Sequence, residues 1–263
     1  MRVVITGAAS GIGRATAIRL ARDAAGRNAK QAQILLVDVA EEKLGEVAAL
    51  LRAENARAES VVVDLAEESA AARVVDAAAR AFGGLDGLVS NAGIIQRSRL
   101  LELSVADYER SFAINTRATW LLGKAAHPLL AASKGSLVAT ASISAHEPTP
   151  PLGAYSASKA ALVMLVRQMA LEWGPDGIRC NTVSPGSTHT AMTEARYSDP
   201  VQRAAAAQRN PLHAVGLPEN QAAAIAFLLS PDAAYITGVD LLVDGGLATM
   251  LMPASGFGDP WRR

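Results

Sequence analysis

The chain has 263 residues, half of them hydrophobic, enough for a sizeable core and within the length that α/β folds occupy as one domain. Lys+Arg and Asp+Glu balance at 25 each, and aromatic residues make up 4%, so there is no basic footprint for nucleic acid, no polybasic membrane patch and no stacking platform for single strands. The single cysteine, Cys180, excludes an intramolecular disulfide framework and fits a reducing, cytoplasmic compartment.

Met1-Arg2 leads straight into Val3-Val4-Ile5, a short buried strand, too brief for a signal peptide, and no apolar run in the chain is long enough for a membrane span. The strand turns at Thr6-Gly7 into AASGIGRATAIRLARDAA, which has apolar positions at helical spacing. Its glycines fall at Gly7, Gly11 and Gly13. A strand, a glycine turn and a helix start make an anion site, where free amides and the helix dipole face a pyrophosphate. Gly7, Ser10, Gly11, Ile12 and Gly13 are therefore candidate cofactor contacts.

Gln33 to Val37 reads as the second strand and closes on Asp38. An acid there suits a dinucleotide ribose, and equally the N-cap of the helix EEKLGEVAALLRAEN. The excess length between Gly13 and Asp38 falls in GRNAKQAQ, read as a surface extension. Ser60 to Val63 is a third strand, followed by the candidate contacts Asp64 and Leu65. A helix over Glu67 to Phe82 leads to a strand over Leu85 to Ser90, ending in Asn91-Ala92-Gly93. From Ser104 to Ser133 the pattern is helical, with Asn115 inside it, a poor interior helix residue. It marks either a local kink or an amide placed to hold a water.

The fifth strand, Leu137 to Thr140, places Ser142 just past its C-terminal end, the edge of an open parallel sheet where ligands bind. After the proline-rich HEPTPPLG, a helix from Gly153 to Trp173 carries Tyr155 and Lys159, four apart and on one face. An ammonium beside a phenol favours the phenolate, which lowers the phenol pKa from about 10 toward the range of a working base. With Ser142 holding a substrate oxygen, this is equipment for oxidising an alcohol or reducing a ketone. Alone, the pair fits equally a buried tyrosine and a solvated lysine. The helix body, AALVMLVRQMALEW, is apolar on nearly all sides and calls for a partner subunit.

Ile178 to Ser184 is a sixth strand, followed by Pro185-Gly186. Ser187 to Leu217 is polar and broken by Pro200 and Pro211, as suits a mobile substrate lid. A helix from Pro218 to Ser230 and a strand from Val239 to Val243 follow, and the tail over 247–263 has no periodicity. Strands alternate with helices throughout, with no linker or repeat. That is one domain, 1–263, built on a doubly wound parallel sheet of Rossmann type, seven strands with helices on both faces.

Together these motifs resemble the compact branch of the short-chain dehydrogenase/reductase family, over nearly the whole chain. TGAASGIG is similar to its cofactor turn, and Asn91-Ala92-Gly93 to its NNAG motif. Ser90 replaces the first Asn, which implies weaker support for the fourth strand. Asn115, Ser142, Tyr155 and Lys159 fall where the family has its catalytic four. SPGSTHT resembles the segment that meets the nicotinamide end, here through Pro185, Gly186, Thr188 and Thr190, and ITGVDLLVDGG resembles the closing strand. RCNTVSPGSTHT and Ala145-His146 are similar to dihydrodiol-oxidising members, 2,3-dihydro-2,3-dihydroxybenzoate dehydrogenases among them.

The resemblance implies hydride transfer between a secondary alcohol, or cyclic diol, and its ketone. Tyr155 would be the acid and base, with Lys159 lowering its pKa and holding the nicotinamide ribose. Ser142 would bind the substrate oxygen, and Asn115 would anchor a water that leads to bulk solvent. Ser144 is a rival hydroxyl at the wrong spacing. Asp38 favours NAD over NADP, and the family implies a homotetramer working on a small molecule, without nucleic acid or membrane. The four histidines, His127, His146, His189 and His213, lack paired ligand spacing, so no metal is expected. Two alternatives remain on this fold: a redox sensor that binds cofactor without turnover, and an epimerase or dehydratase. The second needs a larger C-terminal domain than the residues after Gly246 provide. Specificity is expected in 94–100, 143–153 and the lid; for an acidic substrate Arg97 or Arg99 is the partner, each otherwise simply solvated.

Overall fold

The computed structural model describes residues 1–26 and 31–250. The extension after the first helix and the tail past Met250, Lys30 among them, lie outside the described residues. In chain order the elements are β1 (Arg2–Thr6), α1 (Gly11–Gly26), β2 (Gln33–Asp38), α2 (Glu41–Ala53), β3 (Arg57–Val62), α3 (Ala70–Phe82) and β4 (Gly87–Ser90). Next come α4 (Val105–Phe112), a π-helical turn (Ala113–Arg117), α5 (Ala118–Ser133), β5 (Ser136–Thr140), α6 (Tyr155–Trp173) and β6 (Arg179–Pro185). The chain closes with α7 (Glu194–Tyr197), α8 (Pro200–Ala207), α9 (Pro218–Leu229) and β7 (Asp240–Val243).

The strands form one sheet in the order β3-β2-β1-β4-β5-β6-β7, with every pairing parallel. The period-2 alternation of the strands splits the core into two layers. Val4, Leu35, Val37, Leu88, Leu137, Ala139 and Cys180 pack with α3, α5 and α6. Val3, Ile5, Ile34, Leu36, Val89, Val138 and Val183 pack with α1, α2 and α9. A sheet covered on both faces needs strands that are apolar on both sides, which is why the central strands read as continuous apolar runs. Cys180 is part of this core, and burial pushes its thiol up to about 12, so it is an inert packing residue. No described helix is long and apolar enough to cross a membrane.

The strand order reverses direction between β1 and β4, and the C-terminal ends of the strands open a crevice there. Several boundaries differ from the sequence reading. β3 starts at Arg57, not Ser60, because an edge strand keeps polar residues on its open side and its first half carries no apolar signal. The helix expected from Glu67 begins at Ala70, after a turn in which Glu67 N–H donates to the Asp64 carbonyl. The single helix expected over Ser104 to Ser133 is two helices joined by the π turn that contains Asn115. Ser90 does not weaken β4: its buried hydroxyl pairs with that of Thr119 at 2.7 Å, tying the strand to α5.

Candidate active site

One cavity of about 560 Å³ runs along the C-terminal edge of the sheet, a size typical of ligand sites. Every candidate catalytic or cofactor-contact residue of the sequence reading lines it except Gly13 and Asn115. Both exceptions act from behind the wall. A Cβ on Gly13 would overlap the Gly7 carbonyl oxygen and crowd the Asn91 amide, so only glycine lets α1 approach β1 this closely. Gly7 itself has φ +63°, where L side chains are strained, and its missing Cβ would lie 2.9 Å from Asn91 Nδ2.

One end of the cavity is the β1–α1 turn. Ser10, Gly11 and Ile12 line it at the start of α1, whose first turn carries no acid. The first amides of a helix have no intrahelical partner, so this cradle presents donors and positive dipole to an anion. Three polar side chains lock the strand ends beneath it. Asn91 Nδ2 donates to the carbonyls of Thr6 (3.1 Å) and Gly7 (3.3 Å), and the Thr6 hydroxyl accepts the amides of Asn91 (2.9 Å) and Ala92 (3.0 Å). Thr140 Oγ1 donates to Asn91 Oδ1 at 3.0 Å. These contacts join β1, β4 and β5. The turn, its free amides and its acid-free helix start fit the pyrophosphate of a dinucleotide.

Asp38 reaches this end and lines the cavity. Its carboxylate accepts the amides of Ala9 (3.1 Å), Val39 (2.8 Å) and Ala40 (3.2 Å). The N-cap role considered for it falls instead to Ala40, which has no side-chain cap, because Asp38 turns inward to the glycine turn. Asp64 accepts the Ala66 amide and the Arg110 guanidinium (3.0 Å), which together hold its carboxyl below the usual range. Leu65 lines the wall beside it.

At the other end, Ser142, Tyr155 and Lys159 converge. Lys159 is buried and its Nζ donates to the Thr140 carbonyl at 2.7 Å. Its ammonium lies 5.9 Å from the centre of the Tyr155 ring. Asn115 Oδ1 accepts the Ile94 amide (2.8 Å), and both Nδ2 hydrogens are used, toward the Ile94 carbonyl (3.1 Å) and Ser158 Oγ (3.0 Å). The residue sits in the π turn, the local kink considered for it, and its side chain fastens the 91–95 loop to α6. Behind Ser142, the buried carboxylate of Asp240 accepts Thr182 Oγ1 (2.6 Å) and Ser184 Oγ (2.9 Å), and His146 Nε2 meets it at 2.5 Å. The Ser142 loop is thereby tied to β6 and β7. Nothing in the sequence paired His146 with a residue so far along the chain.

The electrostatics correct one expectation. Burial raises the Tyr155 phenol above its ordinary 10.0, and the Ser142 hydroxyl, as a hydrogen-bond partner, opposes the shift only in part. Burial also lowers the Lys159 ammonium from 10.5 to about 8. Proximity of unlike groups argued for a lowered phenol, but low-dielectric surroundings penalise each charge. Tyr155 thus keeps its proton through the neutral range, as a donor does. Positive charge brought into the cavity would ease its loss.

Lys159 has a measurable signature in stability. The unfolded chain binds its proton with ordinary affinity, so the buried charge destabilises the fold below pH 8, and this penalty fades as pH rises from 8 to 10.5. Lys159→Met removes the penalty, a term of about 3 kcal/mol, or roughly 5 °C or more in Tm for a chain of this size. The Tm of the variant minus that of wild type should be more positive at about pH 7 than at about pH 10. A difference that does not change with pH would contradict a buried ammonium.

The lid is more structured than its polar composition suggested. Its α7 and α8 bury Tyr197 against Ala206 and Val215, and the Thr188–Gly216 bridge closes its base. Met192, Arg196, Tyr197 and Arg209 join the cavity wall from this segment. Among the described residues no group of three or more His, Cys, Asp or Glu side chains is arranged to hold a metal.

Comparison with known proteins agrees with this geometry. The family model described as "Enoyl-(Acyl carrier protein) reductase" matches residues 7–248. The cis-4-hydroxycyclohexanecarboxylate dehydrogenase of Sinomonas cyclohexanicum is 40% identical over 92% of this chain and 94% of its own. The meso-2,3-butanediol dehydrogenase of Serratia marcescens is 36% identical over 93% of each. A solved chain from Beutenbergia cavernae, provisionally assigned as an NAD(P)-dependent gluconate 5-dehydrogenase and holding NADP at low occupancy, superposes with a TM-score of 0.85 at 34% identity. The match covers 94% of this chain and 96% of that one.

Proposed function

The chain belongs to the short-chain dehydrogenase/reductase family, NAD(P)-dependent oxidoreductases acting on CH–OH groups, and from that premise we propose that it interconverts a ring-borne secondary alcohol or cyclic diol and its ketone, with NAD as the dinucleotide. The observation that carries this reading is the convergence of Ser142, Tyr155 and Lys159 at one end of the cavity whose other end is the anion-binding glycine turn. The relative named for cis-4-hydroxycyclohexanecarboxylate adds weight to a ring alcohol, since that compound joins a secondary hydroxyl to a ring.

A bound nicotinamide dinucleotide supplies the two-electron acceptor or donor. The chain supplies the proton chemistry and the placement. Tyr155 gives its phenolic proton to the ketone oxygen in reduction and takes the hydroxyl proton in oxidation. Ser142 holds that same oxygen. Lys159, fixed by the Thr140 carbonyl, keeps a positive charge behind the phenol when protonated. Asn115 is a positioning residue, holding the loop that faces Lys159. At the far end, Gly7, Ser10, Gly11, Ile12 and Gly13 would hold the pyrophosphate, and Asp64 and Leu65 the adenine side. Asn91, Ala92 and Gly93, with Pro185, Gly186, Thr188 and Thr190, line the cavity and would hold the nicotinamide half.

Asp38 favours NAD because its carboxylate stands where a ribose phosphate of NADP would have to sit. Arg110, a cation of the same cavity wall, is engaged by Asp64. Trp120 on α5 and Met164 and Leu171 on α6 are 43%, 61% and 76% exposed. This uncovered apolar face supports a homotetramer, and light scattering should return four chains rather than a monomer. The buried thiol of Cys180 is compatible with a cytoplasmic protein.

A panel of cyclic secondary alcohols, cyclic diols, sugars and hydroxy acids, read by absorbance of the reduced nicotinamide, tests the proposal. Ring alcohols should give the fastest reduction of NAD. Dinucleotide binding without reduction by any alcohol would favour the redox-sensor alternative.

A further inference from the structure

The charges lining the cavity are divided by sign. Its two acids, Asp38 and Asp64, both stand at the dinucleotide end and are both occupied by backbone amides. Apart from these acids, Arg110 and Lys159, the charged side chains of the wall are Arg97, Arg196 and Arg209. Arg110 has its carboxylate; these three have none among the described residues. Glu194, the acid nearest Arg196 in sequence, is engaged by His189 at 2.9 Å, and Arg196 itself packs over the Tyr197 ring at 5.5 Å.

The three arginines are exposed residues on separate segments, each next to a fixed neighbour. Arg97 precedes Ser98, whose bridge to Leu152 ties its loop to the chain just before Tyr155. Arg196 sits on α7 beside the buried Tyr197. Arg209 precedes Asn210, which is buried and whose amide donates to the Ala214 carbonyl at 2.7 Å. Arg99, the other candidate from the sequence, does not line the cavity. The same wall carries Ile94, Ile95, Ile143, Leu152, Met192 and Leu247, along with the hydroxyls of Ser144 and Thr149. A wall that joins apolar side chains to three arginines without a carboxylate partner matches a hydrocarbon body that bears an anion.

Resting on the dehydrogenase reading of this site, we infer that the substrate is an alicyclic hydroxy acid whose carboxylate is held by Arg97, Arg196 and Arg209 while Ser142 and Tyr155 hold its hydroxyl. The same guanidinium chemistry could serve the phosphates of the dinucleotide, so the test separates the two sources. A ring-hydroxylated cyclohexanecarboxylate and its neutral carboxamide are compared with saturating NAD, in wild type and in Arg97→Ala, Arg196→Ala and Arg209→Ala. Wild type should prefer the acid by about tenfold or more in kcat/KM, the worth of one good guanidinium–carboxylate contact. In the variants that preference should fall toward one, through a higher KM for the acid. Equal kcat/KM for acid and amide in wild type would overturn the inference while leaving the dehydrogenase reading intact. So would variants that raise KM for NAD and leave the preference unchanged. Failure of both compounds and of every other alcohol would instead remove the reading on which the inference rests.

Discussion

Tyr155→Phe should lower turnover by about 10²–10⁴ or more, the usual worth of a positioned proton donor, and leave dinucleotide binding in place. The ring remains, so the wall against Lys159 and the packing of α6 change little; only the hydroxyl is lost. That hydroxyl is the group whose proton is retained by burial and eased by Ser142. No other phenol lines the Ser142 end except that of Tyr197, which belongs to the lid core. Binding is read by quenching or calorimetry with NADH, and rate by absorbance. A variant with more than a tenth of wild-type rate would show that the proton travels by another route.

Asp38 should decide between the two dinucleotides. Two like charges about 4 Å apart repel by roughly 1–4 kcal/mol in surface-like dielectrics, a factor of about 5 to 1000 in binding. Wild type is therefore expected to favour NAD over NADP at least about tenfold in kcat/KM. Asp38→Ala should narrow the gap, mainly by weakening NAD. It also strips the acceptor from three backbone amides, those of Ala9, Val39 and Ala40, and so removes support from the glycine turn. Asp38→Asn removes the charge and keeps one oxygen, enough for the Val39 and Ala40 amides that share Oδ1, while its NH2 replaces the Oδ2 that accepts the Ala9 amide. A wild-type enzyme that prefers NADP would overturn the assignment.

The parts of this molecule written locally were legible in the sequence. The glycine turn, the strand ends at Asp38, Asn91 and Ser142, and the Tyr155–Lys159 spacing are short-range patterns, and the sheet brings them to one edge because all its strands run parallel. What the sequence concealed depends on distant partners. Ser90 looked like a loss until Thr119 met it. The bonds of Asn115 to Ile94 and Ser158, which join the 91–95 loop to α6, had no local signal. The pKa of Tyr155 was judged from its neighbour four residues on, whereas burial, a property of the whole fold, moves it the other way. Arg196 and Arg209 carry no motif at all, and only the folded lid brings them to the cavity.

The central claim is that a carbinol hydrogen leaves the substrate as hydride for the dinucleotide. An alcohol that turns over, deuterated at the carbinol carbon, should be incubated with NAD and the reduced nucleotide analysed by mass spectrometry and proton NMR. One deuterium is expected at C4 of the nicotinamide, on a single face, with a slower reaction for the deuterated alcohol. Reduced nucleotide that carries no deuterium, or alcohol consumed while the nucleotide stays oxidised, would contradict it.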